Sequence, residues 1–154
     1  MNKAERLAKE IFSDGDLQEI SEAIQTFEGK TSGEIVISFN TTSHGQPYKY
    51  TRRIFEKAKL HETKARNATL ITLFLTEHKF AVYGDEGIHA RVPENFWEDT
   101  VAAMRQSFAA GEMKQGLLKG INALGENLAK YFPVEADDVN ELSNELKFGE
   151  HEDE

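Results

Sequence analysis

The segment Ala68-Thr69-Leu70-Ile71-Thr72-Leu73-Phe74-Leu75 is apolar apart from two threonines, and it constrains the fold more than any other stretch. A strand with one wet face alternates apolar and polar residues. A near-continuous apolar run belongs to a strand covered on both faces. Helices must then flank the sheet on both sides, which makes this an α/β chain. Thr76-Glu77-His78-Lys79 is short enough to be a turn into Phe80-Ala81-Val82-Tyr83, so the two strands read as an antiparallel hairpin.

The rest of the chain supplies the covering. Residues 4–12 put Leu7, Ile11 and Phe12 on one helical face. Asp14 or Asp16 caps a second helix, and Asp16 with Glu19 has the spacing of a capping box. Leu17, Ile20, Ala23, Ile24 and Phe27 form its apolar stripe, and Gly29 ends it. In Gly33–Asn40, Ile35, Ile37 and Phe39 alternate with Glu34, Val36 and Ser38 as a first strand does. A helix over about residues 48–60 turns Tyr50, Ile54, Phe55 and Ala58 inward. Pro93 suits the first turn of a helix carrying Phe96, Trp97, Val101, Met104 and Phe108. A last helix carries Leu117, Leu118, Ile121, Leu124, Leu128 and Phe132, and Pro133 stops it.

A helix joins the first two strands, so they are parallel with a right-handed crossover, and the third returns antiparallel to the second. The expected architecture is a three-layer α/β/α sandwich around a small mixed, mostly parallel sheet with a hairpin strand. At 154 residues the chain is one domain, 1–134, followed by an acidic, partly disordered tail, 135–154, with one helical turn around Val139–Leu146.

Charge and composition narrow the function. The net charge is −9, and residues 135–154 hold nine acids against Lys147 alone, so residues 1–134 are nearly neutral. No basic, aromatic-interleaved face is present to neutralise phosphates, which argues against nucleic acid. The absence of cysteine excludes disulfides and thiolate chemistry. No apolar run is long enough to span a bilayer and no apolar leader opens the chain, so the expectation is a soluble, cytoplasmic monomer. The five histidines show no metal-binding spacing, and Lys64 and Arg66 read as solvated turn charges or as an attraction for phosphate.

The most informative polar feature follows the hairpin: Gly84-Asp85-Glu86-Gly87, two adjacent carboxylates between glycines that permit positive φ and close backbone approach. With the strand directions above, Glu34 at the start of strand one and Asn67 just before strand two lie at the same end of the sheet. Carboxylates with an amide oxygen suit Ca²⁺ or Mg²⁺, and Glu94, Glu98 or Asp99 near the following helix start offers another oxygen. The alternative is a set of solvated turn acids, with Glu94, Glu98 and Asp99 suiting the first turn of a helix.

Several motifs in order resemble the TPM-domain family, known from a thylakoid lumen protein, a photosystem II repair protein and a receptor modulator. They are Thr31-Ser32-Gly33-Glu34-Ile35, Arg66-Asn67-Ala68-Thr69-Leu70-Ile71, Phe80–Ile88, Val92-Pro93-Glu94-Asn95-Phe96-Trp97, Phe108–Leu117 and Tyr131-Phe132-Pro133. The resemblance covers about residues 15–133 and is to a stand-alone, soluble bacterial-type member. It implies the α/β/α sandwich, binding of a divalent cation (Ca²⁺, with Mg²⁺ as the alternative) and, in some members, acid phosphatase activity. Carried over by position, the implied metal ligands are Glu34, Asn67, Asp85, Glu86 and Asp99. Two functions follow as expectations: a cation-binding interaction or sensing module with an unidentified protein partner, or a metal-dependent phosphomonoester hydrolase.

Overall fold

The structure, a computed structural model, describes residues 1–134, 141–143 and 145–149. Its elements run α1 (Lys3–Ile11), α2 (Asp14–Glu28), β1 (Glu34–Asn40), α3 (Pro47–Lys57), β2 (Ala68–Phe74) and β3 (Lys79–Gly84). A short α4 (Glu86–His89), a 3₁₀ turn (Glu94–Trp97), α5 (Glu98–Ala109), α6 (Met113–Tyr131) and β4 (Lys147–Phe148) complete it. The sheet order is β3-β2-β1-β4, with β1 parallel to β2 and to β4 and β3 antiparallel to β2. The α/β/α arrangement expected from the buried run is therefore present.

Strand periodicity distributes the core between two layers. Ile35, Ile37 and Phe39 of β1 and Ile71 and Leu73 of β2 pack with α1, α2, α5 and α6 on one side. Val36, Ala68 and Leu70 meet Ile54 and Phe55 of α3 on the other. All seven residues of β1 are buried, as are all seven of β2, although β1 alternates in sequence like a half-exposed strand. Its polar residues are covered because neighbours flank it on both sides.

Three local expectations are corrected. The capping box of α2 sits three residues earlier than Asp16–Glu19: Asp16 N donates to Ser13 Oγ and Ser13 N donates to the Asp16 carboxylate, both at 3.0 Å. Ser13 takes the N-cap position, and the Asp16 carboxylate, besides accepting from Ser13 N, pairs with Lys114 of α6 at 3.0 Å. Pro93 stands outside the helix, which begins as the 3₁₀ turn and becomes α-helical only at Glu98. The helical turn expected around Val139–Leu146 is absent from its described residues, 141–143 and 145–146; Val139, Asn140 and Asn144 lie outside the described residues. The chain instead adds β4, with Phe148 stacked on Phe39 at 5.3 Å between ring centroids and its carbonyl accepting from Asn2 Nδ2. A two-residue strand in an acidic run carries no periodicity from which to read it.

At the end of the sheet away from the acids, Glu77 of the β2–β3 turn fastens the loop after β1. Its carboxylate accepts from Ser43 N (2.9 Å), Ser43 Oγ (2.6 Å), Thr42 Oγ1 (3.1 Å) and Gly45 N (3.4 Å). Partial burial pushes this carboxyl up, but the donors from Ser43, Thr42 and Gly45 outweigh it and hold it below its ordinary 4.5. A depressed carboxyl stabilises the fold above its unfolded pKa, and that contribution disappears as pH falls through the lower folded value. Glu77→Gln should thus cost ~1 kcal/mol at neutral pH. The gap between variant and wild type should close on acidification below about 4.5. Urea titrations at pH 7 and pH 3 check this; a pH-independent gap would contradict it.

Candidate functional site at one end of the sheet

The register brings the expected site residues to the same end of the sheet. Glu34 pairs with Ala68 and Thr69 with Gly84. Backbone bonds continue past the strand ends, from Glu34 N to Asn67 O (3.3 Å), Asp85 N to Ala68 O (2.9 Å) and Gly87 N to Arg66 O (2.9 Å). The segment 65–67 is thus flanked by the start of β1 on one side and by the 84–87 segment on the other.

The two glycines serve close approach and not positive φ; neither is among the residues with left-handed backbone. The Trp97 ring lies where a Gly84 Cβ would be, and the carbonyls of Ala65 and Arg66 lie where a Gly87 Cβ would be. The acid pair is also not a plain turn. Asp85 is the N-cap of α4, with Glu86 N donating to Asp85 Oδ1 at 2.8 Å. Four residues with a glycine among them give no helical period, which is why this element is unreadable in sequence.

Arg66 holds the acids. Its Nε donates to Asp85 Oδ2 at 2.7 Å, its Nη2 to Asp85 Oδ1 at 2.9 Å and its Nη1 to Glu86 Oε1 at 3.0 Å. The contact with Asp85 is a bidentate fork, the strongest geometry available to this pair. Asp85 is 3% exposed, while the Glu86 side chain is 72% exposed, so the buried member carries the interaction. The bond to Asp85 raises the Arg66 pKa further, so the guanidinium is a permanent cation. Arg66 has φ of 53°, an uncommon backbone state for a side-chain-bearing residue, and it sits one position ahead of Asn67. Neither reading of Arg66 from its neighbours, solvated turn charge or attraction for phosphate, includes these partners, which stand nineteen and twenty residues further on.

Glu34 and Asn67 are the other buried members. Glu34, 8% exposed, accepts from Leu142 N at 2.6 Å. Burial pushes its carboxyl up, opposed by the Leu142 bond and assisted by the nearby Glu141 charge. Asn67, 2% exposed, donates through Nδ2 to Ser32 O at 3.2 Å, while its buried Oδ1 has no donor among the described residues. An acceptor left in that state costs free energy unless something fills it. The descending chain also reaches this end: Glu141 accepts from Lys64 N at 3.0 Å.

Other candidates stand apart. Glu94, Glu98 and Asp99 are exposed on the 3₁₀ turn and the first turn of α5, and among the described residues no hydrogen bond or ion pair joins them to Glu34, Asn67 or Asp85. Among the same residues no three His, Asp or Glu side chains converge closely enough to hold a metal ion as placed. His89 lies 3.2 Å from the Gly84 carbonyl and against Trp97, where it braces the end of β3. No helix among the described residues is long and apolar enough to cross a membrane.

Residues 8–127 match the TPM domain family, which is well over half of the chain. The chain belongs to the TPM domain family. The solved structure of the BA42 protein from the psychrophilic bacterium Bizionia argentinensis is similar over 88% of this chain and 94% of that one, with 36% identity and a TM-score of 0.83. The N-terminal domain of a protein from P. gingivalis is similar at 14% identity and TM-score 0.65, over 79% of each chain. The N-terminal domain of the cg2496 protein of Corynebacterium glutamicum follows at 16% and 0.61, over 75% of this chain and 72% of that one. These last two share the fold alone. Comparison with curated proteins gives no match.

Proposed function

We propose that this TPM domain binds a divalent cation, Ca²⁺ or Mg²⁺, at the sheet end formed by Glu34, Asn67, Asp85 and Glu86, and works as an interaction or sensing module. The observation that carries the reading is the buried Asn67 Oδ1, without a donor among the described residues, on a segment whose two neighbours each carry a buried carboxylate, Glu34 and Asp85. Amide and carboxylate oxygens are the hard donors these ions take, and water completes such shells. The donor set fits the ion in chemistry, while the placement of the acids does not yet close around one. In the arrangement described, Arg66 supplies the positive charge that the acids require. A metal ion therefore competes with Arg66, and binding is coupled to release of the Asp85 and Glu86 carboxylates from the guanidinium.

That competition is what makes a sensing role reasonable: the ion exchanges one internal partner for another, and the 65–67 segment and α4 are the parts that respond. Following backbone amides by NMR during a CaCl₂ titration tests the location. The amides of Glu34, Asn67, Asp85 and Glu86 should shift saturably, and those of α2 should not. Shifts scattered over the surface acids, without saturation, would reject the site.

A further inference from the structure

The outer edge of β3 is a second surface, unrelated to the acids. The bond from Asp85 N to Ala68 O sets the phase of the antiparallel ladder. Lys79, Ala81 and Tyr83 then exchange backbone bonds with β2, while Phe80, Val82 and Gly84 aim their N–H and C=O groups away from the sheet. His89 meets the Gly84 carbonyl and closes that end. Among the described residues nothing bonds the outward groups of Phe80 and Val82. Beside them runs a groove of about 580 Å³ between α5 and the start of α3, floored by Phe80, Val82, Val101 and Phe108. Lys79 and Arg105 line it, both exposed and neither in an ion pair among the described residues.

We propose that this edge docks an extended peptide segment of a partner protein, apolar at alternate positions and carrying an acidic side chain. Two outward backbone pairs one strand repeat apart match the hydrogen-bonding groups of an added strand. The apolar floor beside them takes its alternate side chains. The charge complementarity is specific to the place: two cations with no ion-pair partner among the described residues border an apolar groove in a chain whose net charge is −9. A second copy of the chain fits less well, because β3 contains no acid to meet those cations.

The test uses the full chain and a fluorescein-labelled, end-blocked peptide of alternating valine and threonine that finishes in two glutamates. Fluorescence anisotropy should show saturable binding, about tenfold tighter than for the same peptide finishing in two lysines. Arg105→Glu should weaken the glutamate peptide about tenfold while the melting temperature is unchanged. N-methylation of the peptide at alternate residues should abolish binding, and the amides of Phe80 and Val82 should become protected from hydrogen exchange in the complex. Equal binding of the two peptides, or full binding of the N-methylated one, would overturn the proposal. So would protection of those two amides in the free protein that rises with protein concentration, which would assign the edge to a second copy.

Discussion

Gly87→Ala should lower the melting temperature by roughly 10 °C, corresponding to a loss of about 3 kcal/mol for a domain of this size. The added methyl would overlap the backbone carbonyls of Ala65 and Arg66, and neither can rotate aside as a flexible side chain would. The same contact is where Gly87 N donates to Arg66 O, so relief requires α4 to lift from the 65–67 segment. That movement also draws Asp85 and Glu86 away from Asn67 and Glu34, so the donor set no longer shares one end of the sheet and cation binding should weaken along with stability. Gly29→Ala is the control: nothing lies within 4 Å of its added methyl, and its backbone is ordinary right-handed. It should be neutral or slightly stabilising. Thermal melts followed by circular dichroism distinguish the two, and an unperturbed Gly87→Ala variant would show that the 84–87 segment is looser than described.

Arg66→Gln should tighten Ca²⁺ binding about tenfold. If the guanidinium holds the acids about nine-tenths of the time, only about a tenth of the molecules are competent to bind, and the apparent affinity is reduced by that factor. Removing the competitor restores the intrinsic value. The same substitution leaves the buried Asp85 carboxylate without its charge partner, so the metal-free variant should melt lower than wild type. Saturating Ca²⁺ should recover much of that difference, because a ligand that binds only the folded form stabilises it. A variant that melts lower and gains no affinity would make Arg66 a structural brace and nothing more.

Much of the fold was legible because its signals are strong and local. The apolar run at Ala68–Leu75 required two covered faces, and the chain carries a helix between β1 and β2 that fixes their parallel pairing. The same strand directions put Glu34, Asn67 and Asp85 at one end of the sheet, and the register has them there. Other features were illegible for physical reasons. Helix α4 is shorter than one full apolar repeat, and β4 is two residues long. Arg66 looked like one of several turn charges because an ion pair across nineteen residues leaves no mark in spacing. Asp99 stood near the acids in sequence order, yet it faces solvent on α5. The burial of Asn67 Oδ1 without a donor among the described residues depends on how three strand ends pack and has no sequence signature.

Isothermal titration calorimetry of the metal-free protein with CaCl₂, run on wild type, Arg66→Gln and Asp85→Asn, tests the cation reading most directly. The account predicts saturable binding to wild type, tighter binding to Arg66→Gln and strongly weakened binding to Asp85→Asn. No saturable heat for any of the three at millimolar Ca²⁺ would contradict it.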